Sequence, residues 1–486
     1  MITRGFSSIL TLLALLSLLS TRNACSQPKH TSPAIGIWQG TLEVGPAKLR
    51  LVIKITSSED GTLKGALDSP DQGVSNIPAS GVRVSGDSVL VSVASIQGAY
   101  EGILDPGKNS LSGTWKQGGM SFPLPLTRAE SVPEVRRPQM PAKPYPYLEE
   151  EVSYENTTAG VKLTGTLTLP REEGPEARKG PFPAVILITG SGPQDRDESL
   201  FGHKPFLVLA DYLTRRGIAV LRLDDRGIGG SSGSVMNSTT ADFAGDVLAG
   251  VGFLKQRSEI DRTKIGLIGH SEGGIIAPLA ATQSRDIAFI ILMAGTGLTG
   301  EEILVLQTDL IARASGTKEE EITKTLARNQ QLYSILKSEQ DSAALSDRLI
   351  AHLRSTWDEW GTDYQKQGME MMKAIEPQVR QMTTPWFRYF LTFDPRTALK
   401  KVRCPVLALN GEKDLQVPHA ENLKEIEKAL REGGNKDITV KMLPGLNHLF
   451  QTSATGAPTE YGSIEETISP TALKVMGDWI DQRVKK

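Results

Sequence analysis

The sequence predicts an α/β fold on a mostly parallel sheet, preceded by a small all-β domain and interrupted by a helical insertion. Three observations carry this. From about residue 148, near-continuous apolar strands such as "FPAVILITG", "KIGLIG" and "IAFIILMAG" alternate with amphipathic helices, as a sheet covered on both faces requires. Before residue 128 the apolar period is two and turns are rich in Gly and Pro. Between about 300 and 395 the strands stop and helical periods such as "EEILVLQTDLIARA" take over.

The N-terminal elements follow from alternation. In "KLRLVIKI", Leu49, Leu51, Ile53 and Ile55 lie on one face, with Arg50 and Lys54 on the other. "GVRVSGDSVLVSV" holds two strands around Gly86-Asp87, a hairpin signal. Residues 33–128 therefore predict an antiparallel barrel or sandwich. "SVPEVRRPQMPAKPYPY" carries five prolines, which marks residues 129–147 as an extended linker. The α/β domain spans 148–486, with the insertion entering after "IAFIILMAG" and leaving before "CPVLALNGEKD".

Composition narrows the function. The chain has 486 residues, 54 basic against 56 acidic, and no long charge run. That balance gives no electrostatic support to nucleic-acid binding. Ile9–Ser20 is a 12-residue apolar stretch behind Arg4, too short to span a bilayer comfortably and suited to a signal-peptide core. With Ala24 and Ser26 as small residues, a cut after Ser26 removes residues 1–26 and implies export to the periplasm or beyond. A lipid anchor on Cys25 is the minor alternative, because Arg22-Asn23-Ala24 fits a lipobox poorly. No other stretch reads as transmembrane. Cys404, the other cysteine, reads as a small buried hydrophobe at the start of a strand.

The chemistry begins at "GHSEGG". A lone Ser271 between Gly269 and Gly273, after a strand and before a helix, has the setting of a nucleophile elbow. There the N–H of Glu272 is placed to bind a developing oxyanion. The hydroxyl needs a base, and elimination among six histidines leaves His448, in the loop "LPGLNHLF" after the last strand. His30, His203, His270, His352 and His419 read as surface or packing residues. The histidine needs an acid, and Asp414 ends the strand "PVLALN" at the carboxyl edge of the sheet, with Glu412 its nearest rival. The second oxyanion donor falls in "GSGP", on the N–H of Ser191 or, next, Gly192. "DDRGIGGSSG" reads as a loop bracing the site, and Trp357 and Trp360 as core of the insertion.

These motifs resemble the serine α/β-hydrolases. With "WQGTL" (38–42), "DSPDQG" (68–73), "SGTWKQGG" (112–119), "GSGPQDRDE" (190–198) and "PWFRYFLTFDP" (385–395), the chain is similar to the bacterial EstD-type carboxylesterases. The resemblance implies an α/β-hydrolase fold with a helical lid. It implies hydrolysis of short carboxylic esters, about C2 to C6, by Ser271, Asp414 and His448, with no metal or organic cofactor. Thr189-Gly190 departs from the His-Gly pair of many lipases, which leaves the oxyanion donor open by one residue. A serine aminopeptidase is the alternative within the enzymes, and an envelope- or carbohydrate-binding protein with a vestigial hydrolase domain the alternative outside them. The partner expected is a small-molecule ester; homo-oligomerisation is left open. Export predicts a mature chain beginning at Gln27. Mass spectrometry of the mature N-terminus checks it, and a diacylglyceryl mass on Cys25 overturns it.

Overall fold

A computed structural model describes residues 32–484 apart from 45–46, 118–119, 133–134, 172–178, 339–341, 356–375 and 377–378. The apolar segment Ile9–Ser20, Cys25, His30, Trp357 and Trp360 lie outside the described residues.

Ten antiparallel strands form the N-terminal unit: β1 (Gly36–Val44), β2 (Ala47–Ser57), β3 (Leu63–Ser69), β4 (Val74–Pro78), β5 (Gly81–Ser85), β6 (Ser88–Val93), β7 (Gly98–Asp105), β8 (Ser110–Gln117), β9 (Met120–Pro123) and β10 (Leu126–Ala129). Their order is β4-β3-β2-β1-β10-β8-β7-β6-β5, with β9 on β8. The two ends meet, since Ala79 donates to Gly65 of β3 and Ser80 to Ser92 of β6. The sheet thus curls around one core centred on Trp38, Tyr100 and Trp115. Period-two alternation in β2 explains the packing. Leu51, Ile53 and Ile55 turn inward, while Arg50 and Lys54 turn outward to Asp71 and Asp68.

The second unit is an eight-stranded sheet in the order β11-β12-β14-β13-β15-β16-β17-β18. Its strands are β11 (Leu148–Asn156), β12 (Val161–Leu169), β13 (Phe182–Ile188), β14 (Ala219–Leu223), β15 (Ile260–His270), β16 (Ile287–Met293), β17 (Val406–Gly411) and β18 (Ile438–Leu443). From β14 to β18 all neighbours run parallel. β11 and β12 form an antiparallel hairpin on the edge, which the strand–helix alternation does not reveal. The central strands are apolar on both faces and both are covered. Ile186, Leu221, Leu267 and Ile290 face α2 (Thr240–Lys255), α3 (Gly273–Gln283) and the later helix His419–Glu432. Val185, Leu187, Ile291 and Leu407 face α1 (Pro205–Arg215) and the last helix, Pro470–Val484. Cys404 lies partly buried against the first of these cores, and burial pushes its thiol up to about 11.

Between β16 and β17 stand α4 (Gly300–Ala314), α5 (Glu319–Ser338), α6 (Ser342–Ser355) and α7 (Pro385–Thr392). They share a small core of Leu332, Leu336, Leu345, Leu349 and Leu391. The start of α4 is fixed by a capping box between Thr299 and Glu302, and Ile303 packs on Leu298 and Val417 at the rim of the sheet. Thr384 caps α7, with Pro385 at its first position. Among the described residues no helix is long and apolar enough to cross a membrane.

His203, in the loop before α1, is buried between Thr467 Oγ1 (2.9 Å) and the Tyr461 carbonyl (3.0 Å). Burial, with the charge of Arg137 nearby, pulls its ring down to about 4. An exposed histidine titrates near 6.5. Between these values the unfolded chain takes up a proton that the folded chain refuses, so stability falls as pH drops from about 6.5 to about 4. We expect His203→Gln to be less stable than wild type at pH 7. The gap should narrow by about 3 kcal/mol on going to pH 4, read by urea unfolding at each pH.

Candidate active site

Ser271 follows β15, Asp414 follows β17 and His448 follows β18, so all three emerge at the carboxyl edge of the parallel sheet. The insertion leaves from that same edge after β16, and Trp386 of α7 reaches back to it at Glu272. The chain does not rejoin the sheet there, because β17 runs parallel to β16 and so begins at the opposite edge.

The corner at Ser271 is set by close main-chain approach. A Cβ on Gly269 would meet the Gly273 carbonyl oxygen at 2.0 Å, and one on Gly273 would meet the Ile188 oxygen at 2.3 Å. Ser271 itself has φ +52°, a conformation that L-residues adopt only under constraint. The constraint is visible: the Ser271 N–H donates to Met293 of β16 at 2.8 Å, and the Ser271 carbonyl accepts from Gly274.

His448 Nδ1 lies 2.8 Å from Asp414 Oδ2, with both side chains buried. The other oxygen of Asp414 accepts the N–H groups of Gln416 (2.9 Å) and Val417 (2.8 Å), which fixes the carboxylate plane. Glu412, the rival acid, turns outward and accepts the N–H of Gly445. The turn holding His448 is tied by Asn447 Oδ1, which accepts from Leu449 and Gln451.

The loop after β13 lies on the serine. A Cβ on Gly190 would stand 3.3 Å from Ser271 Cβ. The Gly190 N–H is already given to Glu198 Oε1 at 2.7 Å, which leaves Ser191 and Gly192 as the candidate donors in this loop. The loop is braced from behind by the "DDRGIGGSSG" turn. Asp225 accepts the Thr189 hydroxyl and the Gln194 N–H, both at 2.8 Å, and burial raises its carboxyl to about 7. Asp224 holds Arg196 through its main-chain N–H and guanidinium.

Four residues have parts that the sequence did not disclose. His270 is no bystander: Nδ1 meets Glu198 Oε1 at 2.9 Å and Nε2 meets the His448 carbonyl at 3.0 Å. Burial works against a charged ring there, but Glu198 and that carbonyl outweigh it and hold His270 above the usual histidine range. Glu198, which reads in sequence only as part of an acid-rich loop, thereby links the Gly190 loop to the His448 loop. The carboxylate of Glu272 is fully buried. It accepts Thr240 Oγ1 at 2.8 Å, the indole N–H of Trp386 in α7 at 3.0 Å, and the hydroxyl of Ser191. Trp386 lies in the quoted "PWFRYFLTFDP", but no local signal points its indole at Glu272, 114 residues away.

A cavity of about 260 Å³ opens over Ser271 and His448. Its apolar wall is built from Leu200, Ile303, Leu304, Trp386, Phe390 and Leu449, and Ser191 and Glu272 stand at its base.

Residues 204–452 match the family described as serine aminopeptidase, S33. Esterase EstD of Thermotoga maritima is 25% identical over 320 residues, and the match spans 65% of this chain and 65% of that protein's own length. Among solved structures, the α/β-hydrolase GrgF of Penicillium sp. sh18 is 18% identical with a TM-score of 0.42, covering 70% of this chain and 100% of that one. A Pyrococcus furiosus esterase is 15% identical with a TM-score of 0.41, covering 73% and 98%. The sheet order, the serine corner and the family match, which takes in Ser271, Asp414 and His448 and just over half of the residues, lead to one conclusion: the chain belongs to the serine aminopeptidase S33 family of α/β-hydrolases.

Proposed function

We propose that the protein is a serine carboxylesterase that hydrolyses short-chain carboxylic esters through an acyl-enzyme. The observation that carries this reading is the buried His448–Asp414 pair sharing one cavity with a positive-φ serine.

His448 removes the Ser271 proton as Oγ attacks the ester carbonyl. Asp414 fixes the ring with Nδ1–H toward itself, so that Nε2 is the basic nitrogen, and it stabilises the imidazolium that forms. The tetrahedral oxyanion rests on the N–H groups of Glu272 and Ser191 or Gly192. His448 then protonates the leaving alcohol, and water attacks the acyl-enzyme by the same route in reverse. No step draws on a metal or organic cofactor. The similarity to Esterase EstD supports an ester over an amide substrate. The mostly apolar wall, closed by α4 and α7, supports a short acyl chain.

Two substitutions test the assignment. Ser271→Ala should leave the fold intact and lower kcat on p-nitrophenyl butyrate by about 10⁶-fold. More than about 1% residual activity in pure variant ends the assignment. Asp414→Asn should cost about 10⁴-fold in kcat, because it favours the wrong histidine tautomer. Glu412→Gln should be near normal, and the reverse outcome would transfer the role to Glu412.

A further inference from the structure

We infer that Trp386 is a specificity-determining residue whose indole forms the end wall of the acyl pocket, and that the Glu272 carboxylate is the latch holding it there. The inference rests on the ester reading of the Ser271 site.

The latch is unusual in its chemistry. Glu272 is 2% exposed and its described partners are all neutral donors: the Thr240 hydroxyl, the Ser191 hydroxyl and the Trp386 indole N–H. A buried carboxylate without a cation is costly unless its oxygens are well bonded. Here the indole N–H lies 3.0 Å from both oxygens, and Oε1 also takes Thr240. Only an acceptor on both positions satisfies these donors. A carboxamide would have to turn its NH₂ toward one of them.

The latch also joins what the reaction needs together. Glu272 follows the nucleophile, Ser191 belongs to the oxyanion loop, and Trp386 belongs to the insertion. One carboxylate therefore sets the height of α7 over the serine. The ring it holds cannot swing away easily: Trp386 is 7% exposed and stacks on Phe390, centroids 6.0 Å apart and 13° between planes. Ile303 and Leu304 of α4 complete the apolar wall. An acyl chain longer than this enclosure meets a fixed indole, not a yielding surface.

The test combines p-nitrophenyl esters from C2 to C12 with amide hydrogen exchange across α7, on wild type, Trp386→Ala, Trp386→Phe and Glu272→Gln. Trp386→Ala should raise the C8-to-C4 ratio of kcat/KM by about tenfold or more, the order expected when apolar pocket volume changes by more than a methylene. Trp386→Phe keeps a ring in place but not the N–H. It should retain the short-chain optimum while α7 exchanges faster, and Glu272→Gln should speed that exchange too. A Trp386→Ala profile parallel to wild type overturns the wall. Unchanged α7 exchange in both Trp386→Phe and Glu272→Gln overturns the latch. If wild type turns over no ester in the panel, the ester reading falls and the wall with it, while the exchange data still decide the latch.

Discussion

The corner between β15 and α3 is the constraint on which the rest depends. Main chain approaches main chain there so closely that Gly269 and Gly273 admit no Cβ, and Ser271 is forced to a positive φ. Such a conformation costs on the order of 1–3 kcal/mol and persists only when its surroundings over-determine it. They do so here through the bond from Ser271 N–H to Met293 and through Gly274, whose own Cβ would collide with Gly295. The corner brings Ser271 to the end of β15, starts α3 directly behind it, and puts Glu272 at the cavity with its carboxylate buried.

Around that corner the protein uses carboxylates as acceptors more than as charges. Glu198 takes the Gly190 N–H, Asp225 takes the Thr189 hydroxyl and Gln194 N–H, and Glu272 takes the Ser191 hydroxyl. The loop from 189 to 194 is thus pinned at four points, and a loop so held has little further freedom to lose. For the reaction proposed above this would be preorganisation, with the donors held in place before the charge appears. The cost is electrostatic. Asp225, with the charges of Glu272 and Glu198 adding to its burial, is pushed up to about 7, and Glu272 is also raised by burial. Glu198 instead faces His270, whose ring it helps to hold above the usual histidine range.

What could be read in the sequence was what depends on neighbours along the chain. Strand, tight turn and helix around Ser271 form one continuous segment, and strand ends place Asp414 and His448 without any knowledge of contacts. The N-terminal antiparallel unit follows likewise from period-two alternation in segments such as 48–55. What could not be read depends on side chains that meet across long separations. His270 meets Glu198 over 72 residues, and Trp386 meets Glu272 over 114. A histidine inside the elbow motif carries no local mark of the carboxylate it will face. The hairpin of β11 and β12 escaped for a different reason. Its pairing to β14 reverses the parallel rule of the central strands, and strand–helix alternation is silent at a sheet edge.

The N-terminal unit and linker bear on the site from outside the cavity. Arg137 of the linker donates to the carbonyls of Phe201 (2.8 Å), Gly462 (2.7 Å) and Ile464 (2.9 Å). Phe201 lies in the loop that carries Glu198, and Gly462 and Ile464 in the chain that returns from His448. A guanidinium is suited to this because its fork of N–H groups can satisfy several carbonyls at once in fixed geometry. The turn at Pro70–Gln72 adds main-chain contact to both loops. Gly73 packs on Gly202, and Gly462 lies so close to the Asp71 carbonyl that neither contact leaves room for a Cβ. Arg50 secures that turn in turn by holding Asp71 through its own N–H and its guanidinium. The two loops that meet at His270, one bringing Glu198 and the other the His448 carbonyl, are therefore joined twice, once through the His270 ring and once at the domain boundary. Long loops of a hydrolase domain need such anchoring, since their own main chain finds few partners within the sheet. The "DSPDQG" stretch and Arg137 of the linker are the parts of the N-terminal region through which it is supplied.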